Sequence, residues 1–171
     1  MTTTTNNTVQ LKRKSSSKTG TWLLLIGCLA VPLAVGFVSS WITMDQMEMF
    51  GAMNKPALAP PAWLFPIAWT ILYVLMGIAS FLILRSDSKY KVAAICFYIS
   101  MLIMNFMWSP VFFNRQDYLA SMVIIVTMGM TTIILAITSW FVDKRATYLL
   151  IPLILWTGFA TYLNAGIAML N

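Results

Sequence analysis

Long apolar runs, cut at intervals by a few charged residues, dominate the chain. Marking the charged positions leaves five charge-free blocks, 19–44, 56–84, 92–114, 118–142 and 146–171. Each exceeds the roughly 20 residues that cross a hydrocarbon core about 30 Å thick. A helix on the surface of a water-soluble domain carries charge on its outer face, and none of these blocks does. The pattern predicts an all-α membrane protein, a single bundle of five transmembrane helices over about 21–42, 62–84, 92–113, 118–141 and 147–169. Helices are required because each N–H and C=O in lipid needs a partner within the segment. The ten-residue alternation of a membrane barrel is not visible.

Between the blocks, "RSDSKYK", "NRQD" and "DKR" are tight connections. They predict antiparallel, adjacent neighbours. The connection 43–62 is longer, and its "MDQMEMFGAM" is weakly amphipathic, as in a short interfacial helix. Residues 1–20 are rich in Thr, Asn, Ser and Lys and predict a disordered basic tail. The basic-then-apolar stretch 12–36 imitates a signal peptide, but the run from Trp22 to about Ile42 is long for one and four more spans follow. It reads as an uncleaved first span, with Pro32 as a possible kink.

Charge adds orientation. The net charge is +6, yet all basic residues except Lys55 and Arg115 fall on the tail and the two loops that share its side. That asymmetry predicts a multi-pass protein with its amino terminus inside and its carboxyl terminus outside. It matches a lipid bilayer with anionic headgroups as partner, and not nucleic acid. Cys28 and Cys96 fall inside spans and read as packing residues.

Candidate chemistry is aromatic and apolar. "KPALAPPAWLFPIAWTILYVLMG", 55–77, crowds prolines and tryptophans at the start of the second span. Prolines are tolerated in a first helical turn, whose N–H groups lack intrahelical acceptors. Pro60 and Pro61 read as the last loop residue and the first helical one, Pro66 as the site of a slight bend, and "KPALAPP" as a stiff, extended strut. Trp63 falls at the boundary, as interfacial anchors do. Trp69, Tyr73 and Gly77 follow i, i+4, i+8 on one face. In the third span Asn105, Ser109 and Phe112 or Phe113 share a face, with Trp108 beside it. In the fifth, Trp156, Ala160, Leu163 and Asn164 do so. An amide in lipid is costly unless hydrogen-bonded. Asn105 and Asn164 therefore pair across helices or contact a ligand.

Those segments, "KPALAPPAWLFPIAWTILYVLMG", "NFMWSPVFF" and "LWTGFATYLN", resemble the translocator protein family, also called tryptophan-rich sensory proteins or peripheral-type benzodiazepine receptors. The resemblance covers about 21–171. It implies a five-helix bundle, a homodimer, and a pocket for porphyrins, sterols or benzodiazepine-type drugs. It implies ligand contacts at Trp69 and Trp156, at Asn105 and Trp108 of the N-x-x-W motif, and near the pocket at Tyr73, Gly36 and Ala160. No cofactor is implied as required; porphyrin or haem would be a ligand. Two features depart from the family. Leu58 stands where many relatives carry a tryptophan in the loop, which removes an aromatic lid. No basic residue follows Tyr162, so the carboxyl-terminal sterol motif is incomplete.

The residues also exclude classes. There is no His, and no ionisable Asp, Glu, Lys or Arg inside a span. Proton-coupled transport and ion pumping use such groups, and zinc or non-haem iron needs His or clustered carboxylates. The reading is a receptor or translocator for tetrapyrroles or other lipophilic molecules, in transport or stress signalling. The alternatives are a light-dependent porphyrin-degrading enzyme and a structural membrane scaffold.

Overall fold

A computed structural model describes residues 18–44, 51 and 53–171. Five helices follow one another: α1 (Lys18–Ile42), α2 (Leu64–Arg85), α3 (Lys91–Ser109, continued by a π-helical turn Pro110–Asn114), α4 (Tyr118–Trp140) and α5 (Lys144–Leu170). All five are long and apolar enough to cross a membrane. No strand occurs among the described residues. The chain is thus an all-α five-helix bundle. α1 begins at Lys18, so the last three residues of the expected tail are helical. The rest of that tail, and residues 45–50 and 52 of the expected interfacial helix, lie outside the described residues.

Around the bundle the order is α1, α2, α5, α4, α3. Short loops make neighbours of α3 and α4, and of α4 and α5. They fail to do so for α2 and α3, which touch only lightly. Side chains of α1, α2 and α3 instead line two cavities between these helices. The core is built by Met76, Ala79 and Ile83 of α2, Met101 of α3, Ile125, Met128 and Leu135 of α4, and Leu150 and Leu153 of α5. α1 is peripheral: 11% of its most apolar stretch is buried, against 44% for α2.

Capping and tethers fix the ends. Asp117 accepts from Ala120 N (2.9 Å) and Asp143 from Arg145 N (2.9 Å), each meeting an otherwise unpartnered first-turn donor. Ser86 Oγ donates to Val142 O (3.1 Å) and Ser88 Oγ to Phe141 O (2.9 Å), which joins the two short loops on that face. On the opposite face Asn114 Nδ2 donates to Ile42 O (3.2 Å), tying the end of α3 to the end of α1.

The proline-rich stretch departs from its expected form. Ala59 N donates to Pro56 O (3.0 Å), so the strut contains a turn and Leu58 points out, 70% exposed. Pro60 and Pro61 both precede the helix, which starts at Leu64. Pro66 is then the third helical residue. Its missing N–H had no acceptor to lose, and no bend is needed there. Pro56 packs on α5 at Gly166, where a Cβ would come within 2.7 Å of the proline ring.

Candidate ligand-binding site

In the half of the bundle where α1 ends and α2 begins, a cavity of about 580 Å³ lies between α1, α2, α3 and α5. Its walls follow from the helical faces. Phe65, Trp69 and Tyr73 succeed one another at four-residue steps along α2, one above the other. Trp69 stacks on Tyr73, with ring centroids 5.6 Å apart and 27° between planes.

The α3 wall runs from the regular helix into the π turn. Pro110 supplies no N–H, and the chain widens there until Arg115 N donates to Pro110 O (3.1 Å). Such turns insert a residue into the helical register. Trp108, Ser109, Phe112 and Phe113 all reach the cavity, as their i, i+1, i+4, i+5 spacing along one face allows. Trp108 stacks on Phe112 (5.0 Å, 22°), and Phe113 meets Phe112 edge-on (4.9 Å, 80°).

Both intramembrane amides pair across helices. Tyr73 Oη donates to Asn105 Oδ1 (2.8 Å), joining α2 to α3. With its amide turned to suit its neighbours, Asn164 Oδ1 accepts from Trp108 Nε1 (3.2 Å) and Ser121 Oγ (2.9 Å). Its Nδ2 then donates to Tyr118 O (3.0 Å). One amide thus links α5 to α3 and α4 and orients the Trp108 indole. Both asparagines still form part of the cavity wall.

Of the residues singled out in the sequence, Gly36, Trp69, Tyr73, Asn105, Trp108, Ala160 and Asn164 line the cavity. Gly36 does so for a steric reason: a Cβ there would clash with the edge of the Tyr73 ring. Trp156 does not reach the cavity. It stands behind the wall, edge-on to Trp69 (6.3 Å, 84°) and to Phe65 (6.0 Å, 72°). It shares the helix face of Ala160, but its indole packs against the α2 rings Phe65 and Trp69. Leu58 and the other described residues of 53–63 do not line the cavity either.

Sequence reasoning missed most of the α1 wall. Ser39, Ser40 and Thr43 face the cavity. Ser39 is 4% exposed and its Oγ has no hydrogen-bond partner among the described residues. The signal was present in "GFVSSWIT", a cluster of small hydroxyl residues in an otherwise apolar helix.

Comparison with known proteins agrees with this architecture. The profile of the TspO/MBR family matches residues 28–170. The tryptophan-rich protein TspO of Chlorobaculum tepidum is 37% identical over 153 residues, 87% of this chain and 96% of the relative. The tryptophan-rich sensory protein of Cereibacter sphaeroides is 31% identical over 88% of this chain and 92% of its own length. The translocator protein of Sus scrofa is 31% identical over 84% and 87%. With five membrane-length helices and a family match over most of its length, the chain is a multi-pass integral membrane protein belonging to the TspO/MBR family.

Proposed function

We propose that this protein is a membrane receptor and translocator whose cavity takes a tetrapyrrole, or another flat lipophilic molecule such as a sterol, in transport or stress signalling. The observation that carries the reading is the aromatic wall. Phe65, Trp69, Tyr73, Trp108, Phe112 and Phe113 surround about 580 Å³, within the range of pockets that enclose drug-sized ligands. Ring stacking contributes about 0.5–1.5 kcal/mol per aromatic pair beyond area burial. A few hydroxyls and amides, Ser39 and Asn105 among them, supply orientation. The names of the relatives, translocator protein and tryptophan-rich sensory protein, support the same reading.

The test is quenching of intrinsic tryptophan fluorescence by protoporphyrin IX in detergent. Saturable quenching is expected in the wild type. Trp69→Ala is expected to raise the binding midpoint about tenfold, the loss of one good stacking partner. Trp156→Ala should act more weakly, by freeing the Trp69 edge. Unsaturable quenching, or equal midpoints for wild type and Trp69→Ala, refutes the assignment. A purely structural bundle gives the first of those results.

A further inference from the structure

We infer that the bundle has a second site, for one anionic glycerophospholipid, on the face where α1 begins. A separate cavity of about 380 Å³ is walled by Leu23, Gly27 and Val31 of α1, Leu84 of α2, and Ile95 and Tyr98 of α3. It shares no lining residue with the first cavity. The two are divided where α1 and α2 pack most closely, at Gly77, whose added Cβ would lie 2.8 Å from Cys28 O. The cavity lies wholly within the membrane-length segments, so its occupant comes from the lipid phase. The branched aliphatic lining offers no flat aromatic platform and suits an acyl chain.

Two hydroxyl side chains, Tyr98 and Ser80, interrupt that lining. Tyr98 is 8% exposed and its hydroxyl has no hydrogen-bond partner among the described residues. Ser80 lies beside it and donates its own hydroxyl to Gly77 O (2.9 Å). A helical side chain leans back towards its helix's amino terminus. From a Cα about 10 Å, two turns, below the start of α3, the Tyr98 ring therefore leans back towards Lys91. An acyl ester carbonyl, at the upper edge of the hydrocarbon layer, meets the hydroxyl at that depth and accepts its proton.

The rim supplies the third element. Each helix that walls the cavity ends there on a cation: Lys18 of α1, Arg85 of α2 and Lys91 of α3. Arg85 rests over the Phe81 ring (5.4 Å). None of the three is in an ion pair among the described residues, where the ion pair formed is Arg145–Asp143. Asp87, in the loop after α2, is the acidic residue nearest them in the chain. Basic clusters between transmembrane helices recognise anionic headgroups. Chain, ester and phosphate thus have their counterparts in order from the membrane interior outwards.

The site does not depend on porphyrin binding. The protein is mixed in detergent with equal amounts of dioleoylphosphatidylglycerol and dioleoylphosphatidylcholine, and retained lipid is counted by native mass spectrometry. One phosphatidylglycerol per chain is expected, in preference to phosphatidylcholine. Gly27→Leu is expected to abolish retention by filling the cavity, because an added Cβ there meets nothing within 4 Å. Tyr98→Phe, which keeps the ring, is expected to weaken retention about three- to tenfold, as for one hydrogen bond. Lys91→Gln should erase the preference between the two lipids. Equal retention of both lipids by the wild type overturns the charged rim. Undiminished retention in Gly27→Leu or in Tyr98→Phe overturns the cavity. Protoporphyrin quenching, measured on the same Gly27→Leu sample, reports the first cavity separately.

Discussion

The Tyr73–Asn105 hydrogen bond is the sharpest quantitative claim about the site. Tyr73 is 8% exposed and Asn105 3%, and their side chains meet at 2.8 Å. Tyr73→Phe removes the donor and leaves Asn105 Oδ1 unmet in an apolar wall. Stranding a buried polar atom costs about 1–3 kcal/mol in soluble proteins. Side-chain hydrogen bonds between membrane helices average about 0.6 kcal/mol, with a maximum near 1.7. The short distance and near-complete burial favour the upper part of the membrane range, about 1–1.5 kcal/mol, or roughly tenfold in the unfolding equilibrium. Asn105→Leu strands the tyrosine hydroxyl and should cost a similar amount. In Tyr73→Phe/Asn105→Leu neither group remains to be satisfied, so the loss should fall short of the sum by about 1 kcal/mol. Reversible unfolding by dodecyl sulfate in maltoside micelles, followed by circular dichroism, measures all four proteins. Single losses that add within about 0.3 kcal/mol mean that the pair is not coupled, and the reasoning fails.

Other outcomes follow from the same geometry. Gly77→Ala drives a Cβ to within 2.8 Å of the Cys28 carbonyl and Leu29 Cα; because these are backbone atoms, destabilisation of about 1–3 kcal/mol is expected in the same unfolding assay. Asn171→Ala removes the bonds from Asn171 Nδ2 to Asn54 O (3.0 Å) and from Asn54 N to Asn171 Oδ1 (3.2 Å). Proteinase K should then cut the 53–59 loop faster than in the wild type, and an unchanged rate would count against the tether. Asp143 is held below the usual carboxylate range, first by its side-chain hydrogen bonds from Arg145. Its contribution is present above the unfolded value of about 3.9 and is lost as pH falls through the lower folded value. Between pH 5 and pH 3 the wild-type unfolding midpoint should therefore fall slightly further than that of Asp143→Asn.

The helices were legible because charge is excluded from lipid, and 16 charged residues are enough to mark every boundary to within a few positions. The aromatic face of α2 was legible too, since Trp69 and Tyr73 obey a regular helical period. That periodic reasoning had three limits. It could not foresee the π turn at Pro110, which widens the end of α3 beside the cavity. It placed Trp156 on the right helix face but could not tell a lining side chain from one behind the wall. It also assumed that a short loop means a tight interface. The α2–α3 connection is short, but α1 and two cavities occupy the space between those helices. The hydroxyl cluster on α1 went unread because isolated serines in a span usually bond their own backbone.

α1 is joined firmly to α2 and only lightly to α3. Glycines bring its backbone or that of α2 into close approach at two levels, Gly36 on Tyr73 and Gly77 on Leu29. Mechanically this is a door, with its hinge line along α2, its free edge along α3, and both cavities behind it. Opening it lifts Leu33 and Val35 off the core and breaks the Asn114–Ile42 bond, but parts none of the contacts that the other four helices make with one another. Residence time and fold stability thereby become separable quantities: a change on the free edge alters how fast a molecule enters or leaves sideways, while a change on the hinge line alters whether the door hangs at all.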